Sequence, residues 1–170
     1  RRELVDSEFS ARMTACHRAA ELLGVDALRD VDDVTPLRET HDLEWRRASH
    51  VVAENQRTIA AATAMDADDG VALGSLMSES HASLRDLFEV SSEALDTIVA
   101  AASAAPGCLG ARMTGAGFAG CAVALVESDA IAEFVGAVET RYERTAGTAP
   151  RLWVCAASAG ASIEWLAEAE

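Results

Sequence analysis

Three glycines in the segment RMTGAGFAGC, namely Gly115, Gly117 and Gly120, have the G-x-G-x-x-G spacing of a nucleotide-binding turn. Glycines permit positive φ angles, and consecutive backbone N–H groups in such a loop can converge on an anion. A dinucleotide site also needs a helix directly after the glycines, because the pyrophosphate lies against the first free N–H groups of that helix. Here the apolar run CAVALVE follows instead. The pattern therefore favours a glycine-rich connection between two strands, which can still form an anion-binding nest.

Other residue types that could bind a metal or act as a nucleophile are scattered along the chain. The cysteines include no C-x-x-C pair, which a zinc or redox site would use, and the histidines lack the H-E-x-x-H spacing. These residues are Cys16, Cys108, Cys121 and Cys155, and His17, His41, His50 and His81. The sequence therefore predicts no metal site, and it predicts that the cysteines are buried thiols in a reducing cytosol.

Two polar groupings on predicted helices are interpreted as structural. His81 and Arg85 form a helical i,i+4 pair within a stretch whose residue types otherwise resemble a catalytic cluster. Arg46 and Arg47 are expected to form a solvated or interdomain salt-bridging face rather than a phosphate clamp. Neither grouping is predicted to take part in chemistry.

The elements that must position the glycine segment belong to a chain of ordinary globular composition. Its 170 residues are 50% hydrophobic and 25% charged, which is enough for one domain with a sizeable core. The net charge of −14 disfavours binding to nucleic acid or to an anionic membrane surface, since both require an excess of Lys and Arg. The sequence has no apolar run of about 18 residues, and its first residues lack the apolar region of a secretory signal. A cytoplasmic protein is expected.

Helical periodicity dominates the first two thirds of the sequence. Apolar residues at intervals of three and four predict helices over roughly 4–23, 40–64 and 71–88, and a fourth helix that Ser91 or Ser92 caps and Pro106 ends. The apolar stripe of the first helix is Val5, Phe9, Met13, Cys16, Ala20 and Leu23; that of the second is Trp45, Ala48, Val52, Asn55, Ile59 and Ala62.

Strand-like segments follow Gly107. CLGARM at 108–113 and CAVALVE at 121–127 read as two strands joined by the glycine loop, Ser128 as the cap of a further helix, and RLWVCAA at 151–157 as a third strand. Four helices followed by strand, strand, helix and strand predict an α+β fold with an antiparallel sheet backed by helices, in a single domain.

The glycine segment with its flanks, GARMTGAGFAGCAVALVE, resembles the third signature motif of the GHMP kinases, and the Met-Thr before the glycines is similar to the galactokinases among them. RRASHVVAENQRT and SESHASLRDLFEVSSEALD resemble two helical galactokinase segments, and Val154 with residues 158–161 is similar to the closing strand and turn of that family. The resemblance extends in order from Leu4 to about Ile163.

This resemblance implies a GHMP kinase C-terminal domain of ferredoxin-like type, spanning residues 1–170. It also implies a two-domain enzyme that transfers the γ-phosphoryl group of MgATP to the anomeric hydroxyl of galactose. The N-terminal domain, which carries the family's ATP-anchoring loop and catalytic Asp, is expected to lie outside this chain. No catalytic residue is expected here, and the isolated chain is expected to be inactive and to bind neither ATP nor Mg²⁺.

The family places its third motif beside the nucleotide phosphates, which makes the loop a candidate wall of the phosphate pocket. Ala119 departs from the motif, in which a second glycine usually precedes the last one, at a cost of about 1 kcal/mol if the position needs a positive φ. Phe9 stands where most galactokinases have a sugar-contacting Tyr, so it is either a substrate-binding residue or a core residue. The candidate phosphate-pocket residues are Thr114, Gly115, Ala116, Gly117, Phe118 and Gly120.

Two other functions remain compatible with the sequence. One is a GHMP kinase that acts on another sugar or a small alcohol, and the other is a diverged homologue that binds a sugar or a protein without catalysis. Self-association is also expected, through a face that the start of the first helix and the glycine loop would expose.

Overall fold

The structure is a computed structural model that describes residues 2–158 and residue 160. Within this range the chain forms helices packed against a two-stranded antiparallel sheet. The helices are α1 (Arg2–Leu23), α2 (Asp42–Asp66), α3 (Gly70–Ser83), α4 (Glu93–Ser103) and α5 (Ile131–Ala146), and the strands are β1 (Cys108–Thr114) and β2 (Cys121–Val126). Short 3₁₀ helices span Leu28–Asp30 and Thr35–Leu37, and a π-helical turn spans Leu84–Phe88. The predicted α+β class is confirmed.

Side-chain caps set the starts of α3 and α4. The Asp69 carboxylate accepts the Ala72 N–H at 2.9 Å, and the Ser92 hydroxyl, one of the two predicted caps, accepts the Leu95 N–H at 3.4 Å. The predicted cap of α5 is wrong. Ser128 lies in a turn closed by the Ala130 N–H and the Glu127 carbonyl, so the helix begins only at Ile131, too far along for the Ser128 hydroxyl to cap it.

The sheet is a hairpin with the predicted glycine connection. β1 and β2 pair with Thr114 opposite Cys121, so residues 115–120 form the loop, and the register is irregular between Cys108 and Gly110. The prediction that the glycines join two strands is therefore confirmed.

The predicted third strand is wrong. Residues 151–158 form no regular secondary structure and pair with neither β1 nor β2, and Trp153 in their middle is 71% exposed. An apolar, β-branched composition favours a strand, but a strand also needs a neighbour for its N–H and C=O groups. Of the predicted closing turn, Ala159 and Ala161 lie outside the described residues.

Helix α3 lies against β1 because two glycines allow their backbones to meet. A Cβ on Gly74 would lie 2.1 Å from the Leu109 carbonyl oxygen, and a Cβ on Gly110 would lie 2.0 Å from that of Gly74. This close approach fixes the position of α3, and of the segment after it, relative to the hairpin.

Three apolar clusters hold the described part of the chain together. Residues of α1, α2 and the intervening 3₁₀ segments form the first, and residues of α4, β1 and α5 form the second. The third consists of Val90, Leu95 and Met113, with the partly buried Leu84, Phe88 and Phe118 packed against it. Of the predicted apolar stripe of α2, only the N-terminal half, as far as Val52, lies in the first cluster. Ile59, farther along the same stripe, is 70% exposed because the cluster does not extend beyond Val52. Within the described residues, no helix is long and apolar enough to cross a bilayer.

Candidate functional site

The glycine loop has the backbone conformation that its composition predicts. Gly115, Gly117 and Gly120 all have positive φ angles, of +82°, +86° and +133°. Phe118 is the fourth residue of the loop with a positive φ, at +59°, whereas the φ of Ala119 is not positive. The position that departs from the GHMP motif therefore needs no glycine in this loop, and the unfavourable conformation falls on Phe118 instead.

A hydrogen bond and apolar packing of Phe118 hold the loop against the protein. The Phe118 N–H donates to the Val90 carbonyl oxygen at 2.6 Å, and a Cβ on the buried Gly117 would lie 2.2 Å from the same oxygen. The Ala119 N–H turns back to the Gly117 carbonyl at 2.7 Å. By contrast, the N–H groups of Ala116 and Gly117 donate to no backbone or side-chain acceptor in the described part of the chain. The N–H group of the exposed Ala116 is therefore available for an outside acceptor, whereas Gly117 is buried.

Residues Leu84–Val90, which we call the backing segment, bring the Val90 carbonyl to this position. The segment starts with the π-helical turn, continues through Glu89 in the left-handed region at φ 55° and ψ 50°, and closes with the Val90 N–H donating to the Leu84 carbonyl at 3.1 Å. The sequence predicts a plain helix as far as residue 88, so both the π turn and the left-handed Glu89 are missed. Such turns widen a helix by one residue and are frequent at functional sites.

Three arginines from two other helices bind the carbonyl groups that the backing segment leaves without helical partners. Arg12 of α1 donates from Nε to the Phe88 carbonyl at 3.1 Å and from Nη2 to the Glu89 carbonyl at 2.8 Å. Arg46 of α2 donates to the Asp86 carbonyl at 2.7 Å, and Arg47 donates to the Leu87 carbonyl. Four consecutive carbonyl groups, from residue 86 to residue 89, are thus bound by arginine.

The carboxylate of Glu89 completes this arrangement. Arg47, whose residue is only 3% exposed, donates to one carboxylate oxygen at 2.6 Å, and Arg46 pairs with the other. Hydrogen bonding from Arg47, with the nearby charges, lowers the pKa of Glu89 below its usual value. The expectation of a solvated salt-bridging face is therefore wrong for Arg47, which is buried, whereas Arg46 is partly exposed and forms a salt bridge as expected. Nothing local marks these two arginines as partners of residues some forty positions later.

Helix α1 also reaches the loop directly. The Arg12 guanidinium lies 5.5 Å from the centre of the Phe118 ring, which places the middle of α1 beside the loop. Phe9, one helical turn earlier, is 50% exposed, so the interpretation of Phe9 as a core residue is not supported. The candidate sugar residue is thus exposed, one helical turn before the arginine that contacts the loop.

A polar network lies behind the loop, between α2, α3 and β1. Glu54 accepts from the buried Ser80 hydroxyl and pairs with Arg57 at 2.8 Å and Arg112 at 3.3 Å. Burial opposes ionisation of Glu54, but the hydrogen bonds from Ser80 and Arg57 outweigh it and leave its pKa below the usual value. The network holds the α2–α3 pair on β1 and contains no exposed reactive group.

Two histidines are buried in the same region. His50 Nδ1 lies 2.8 Å from the Ser83 hydroxyl and its ring is 4.6 Å from that of Phe88, while His81 Nδ1 accepts the Met113 N–H at 3.3 Å. Burial lowers the pKa of His50 to about 4 and also lowers the pKa of His81. Both histidines are therefore neutral near pH 7 and serve packing.

Neither of two surface cavities includes the loop. One of about 590 Å³ lies between α4 and α5, and one of about 170 Å³ lies between α3 and α4 beside His81. In the part of the chain that the structure describes, no group of three or more His, Cys, Asp or Glu side chains is arranged to hold a metal ion.

Comparison with known proteins identifies relatives over the whole chain. Residues 61–144 match the family described as GHMP kinases C terminal. Galactokinases of Chloroflexus aggregans and Chloroflexus aurantiacus are each 43% identical over the full chain, which spans only 46% of the length of either relative. A crystal structure of Lactococcus lactis galactokinase complexed with galactose superposes with a TM-score of 0.79 at 36% identity, covering 84% of this chain and 39% of that one.

Proposed function

This chain belongs to the GHMP kinases as a C-terminal domain of the galactokinase type, and from that membership we propose that it is the C-terminal part of an ATP-dependent galactose 1-kinase. The longer enzyme transfers the γ-phosphoryl group of ATP to the anomeric hydroxyl of galactose. We assign no catalytic residue to residues 1–170. In this proposal the phosphate-anchoring loop and the catalytic aspartate belong to the part of the enzyme that precedes them.

The observation that carries the proposal is the conformation of the glycine loop. Phosphoryl transfer depends mainly on positioning and on stabilising charge at the phosphate oxygens. The N–H group of Ala116, at an exposed position of a loop held in place by Val90, is suited to that task. The exposed side of the loop, with Thr114, Gly115 and Gly120, forms one wall of the phosphate pocket, and another domain supplies the opposite wall.

The residues present in this chain do not fit the Mg²⁺ ion that accompanies ATP. Residues 114–120 include no carboxylate, and the described residues contain no candidate cluster of metal ligands. We therefore assign the ligands of the ion to ATP and to the remainder of the enzyme. The loop also has no lysine or arginine of its own, so a half-site of this kind binds phosphate weakly.

The sugar side of the proposal rests on Phe9. Phe9 is half exposed, and its phenyl ring can stack on a face of galactose, but it offers no hydroxyl for a hydrogen bond. We also propose a cytoplasmic location, because the cysteines at 16, 108, 121 and 155 are all free thiols. The acidic net charge of −14 argues against partners that are nucleic acids or anionic membranes.

The proposal is tested by comparing the longer protein with the isolated chain. We expect the longer protein to phosphorylate galactose with ATP, and the isolated chain to show no turnover and no ATP binding by calorimetry at micromolar concentrations. The face with Phe9 and Met13, exposed in the isolated chain, favours self-association that light scattering detects. A longer protein that phosphorylates another sugar but not galactose, or an isolated chain that turns over, would contradict the assignment.

A further inference from the structure

We propose that Arg12, Arg46, Arg47 and Glu89 form a clamp whose role is to position the glycine loop for the nucleotide, so that these residues control ATP binding without touching ATP. This inference rests on the proposed function of the loop. The four residues lie on α1, on α2 and in the backing segment, and none of them belongs to the glycine motif.

Several bonds to ionised side chains converge on the backing segment. The four carbonyl groups of residues 86–89 each accept an arginine N–H, and both oxygens of the Glu89 carboxylate pair with arginines. Bonds with an ionised partner are roughly twice as strong as neutral ones. A left-handed backbone at a residue other than glycine is unfavourable, so its presence at Glu89 requires such support.

The clamp is connected to the loop in two ways, through the backbone next to Glu89 and through Arg12. Glu89 is covalently adjacent to Val90, whose carbonyl oxygen accepts the Phe118 N–H and lies where a Cβ of Gly117 would be. A rotation of the backbone at residue 89 therefore moves the acceptor that fixes residues 117 and 118. Arg12 adds a second route, because the same guanidinium that binds the carbonyls of residues 88 and 89 lies against the Phe118 ring.

The residues that pack α4, β1 and α5 together differ from the residues that position the loop. The apolar cluster around Val138 holds α4, β1 and α5 together without contributing to the clamp. Loss of the clamp should displace the loop, whereas loss of packing at Val138 should lower stability and leave the loop geometry intact. The two kinds of change can therefore be distinguished at similar losses of stability.

The experiment uses the longer protein with Glu89→Gln, which keeps the shape of the side chain but removes its charge. Arg12→Lys is a second variant, since an ammonium group cannot donate to two carbonyls in the forked geometry of a guanidinium. The controls are Arg18→Lys, at an exposed position on the same helix, and Val138→Ala. The readouts are KM for ATP, KM for galactose, and deuterium uptake by the peptide that contains Phe118.

For Glu89→Gln we expect KM for ATP to rise about tenfold while KM for galactose changes by less than about twofold. Deuterium uptake around Phe118 should accelerate in both clamp variants and in neither control. Unchanged uptake in both clamp variants would overturn the proposal, as would an equal rise of KM for ATP in Val138→Ala. If the unsubstituted protein does not phosphorylate galactose, the proposed function fails, and the deuterium exchange still decides whether the clamp holds the loop.

Discussion

The glycine loop and the backing segment meet at one hydrogen bond, yet they reach unusual backbone conformations by opposite means. In the loop, three of the four positive φ angles fall on glycines, which adopt them at little steric cost. The backing segment contains no glycine, and its π turn and left-handed Glu89 are held by arginines that lie up to 77 residues away. One conformation is encoded locally, and the other depends on tertiary contacts.

This difference bears on how each region tolerates change. A locally encoded loop is sensitive to substitution of its own glycines, whereas a segment held by distant side chains is sensitive to substitutions elsewhere. The contact between Val90 and residues 117 and 118 is sensitive to both kinds of substitution, those in the loop and those in the distant arginines.

The largest effect is expected for Gly117→Val in the longer protein. A Cβ at this position would lie 2.2 Å from the Val90 carbonyl oxygen, and valine does not tolerate a φ of +86°. We expect turnover to fall by more than about a hundredfold, with a loss of about 3 kcal/mol in the free energy of unfolding. Steady-state kinetics and denaturant titration measure the two quantities.

Gly115→Val is the matched control for this variant. Gly115 has nearly the same φ, +82°, but a Cβ there meets nothing within 4 Å. The control therefore introduces backbone strain without the clash, and we expect it to lower stability by only about 1–2 kcal/mol. Equal losses of stability in the two variants would mean that contact with Val90 does not determine the loop conformation.

An intermediate effect is expected from acid, through His50 behind the backing segment. Burial lowers its folded-state pKa to about 4, against 6.5 for the unfolded chain. Between these pKa values the unfolded state binds more protons than the folded state. The free energy of unfolding is therefore highest above pH 6.5 and decreases as the pH falls toward 4, by about 3 kcal/mol in total. The lowered pKa of His81 acts in the same direction. The carboxylates Glu54 and Glu89 add to the loss only below about pH 4.5.

Denaturant titrations between pH 4.5 and 6.5 isolate the histidine contribution. In His50→Asn, the amide can keep the hydrogen bond to Ser83 but cannot titrate, so the dependence of stability on pH should be weaker than in the unsubstituted protein. The exposed His17→Asn should keep the full dependence. The same slope in all three proteins would show that protonation behind Phe88 does not destabilise the segment.

The sequence predicts the loop far better than the segment that supports it. The glycine spacing, the hairpin and the positive φ angles follow from residues 114–121 alone, because steric limits on φ act within a single residue. The π turn does not, because residues 84–88 continue the helical pattern of α3 and only the distant Arg12, Arg46 and Arg47 reveal the change. Arg46 and Arg47 are adjacent charges on a helix, and their sequence does not show which side faces inward.

Burial along the helices was predictable only where a partner element follows in sequence. The stripe of α1 is correct for Cys16, Ala20 and Leu23, which pack on α2, but Phe9 and Met13 on the same stripe are exposed. Periodicity identifies the apolar face of a helix, whereas the length of that face that is covered depends on its neighbours. The same limit applies to strands. The composition of residues 151–158 favours a strand, but it does not determine whether a neighbouring strand is there to pair with them.

The smallest effect is expected for Ala119→Gly, which restores the glycine that the GHMP motif usually has at this position. If the loop needed a positive φ here, glycine would relieve strain and stabilise the protein by about 1 kcal/mol. The positive angles fall instead on residues 115, 117, 118 and 120, so glycine only adds conformational freedom to the unfolded chain. We expect denaturant titration to show a loss of about 0.5–1 kcal/mol, and turnover in the longer protein to change by less than about twofold. Gly120→Ala, at a φ of +133°, is the matched control and should destabilise the protein more. An increase in stability on Ala119→Gly would show that this alanine is strained, and that the hydrogen bond between Phe118 and Val90 compensates for a glycine missing from the loop.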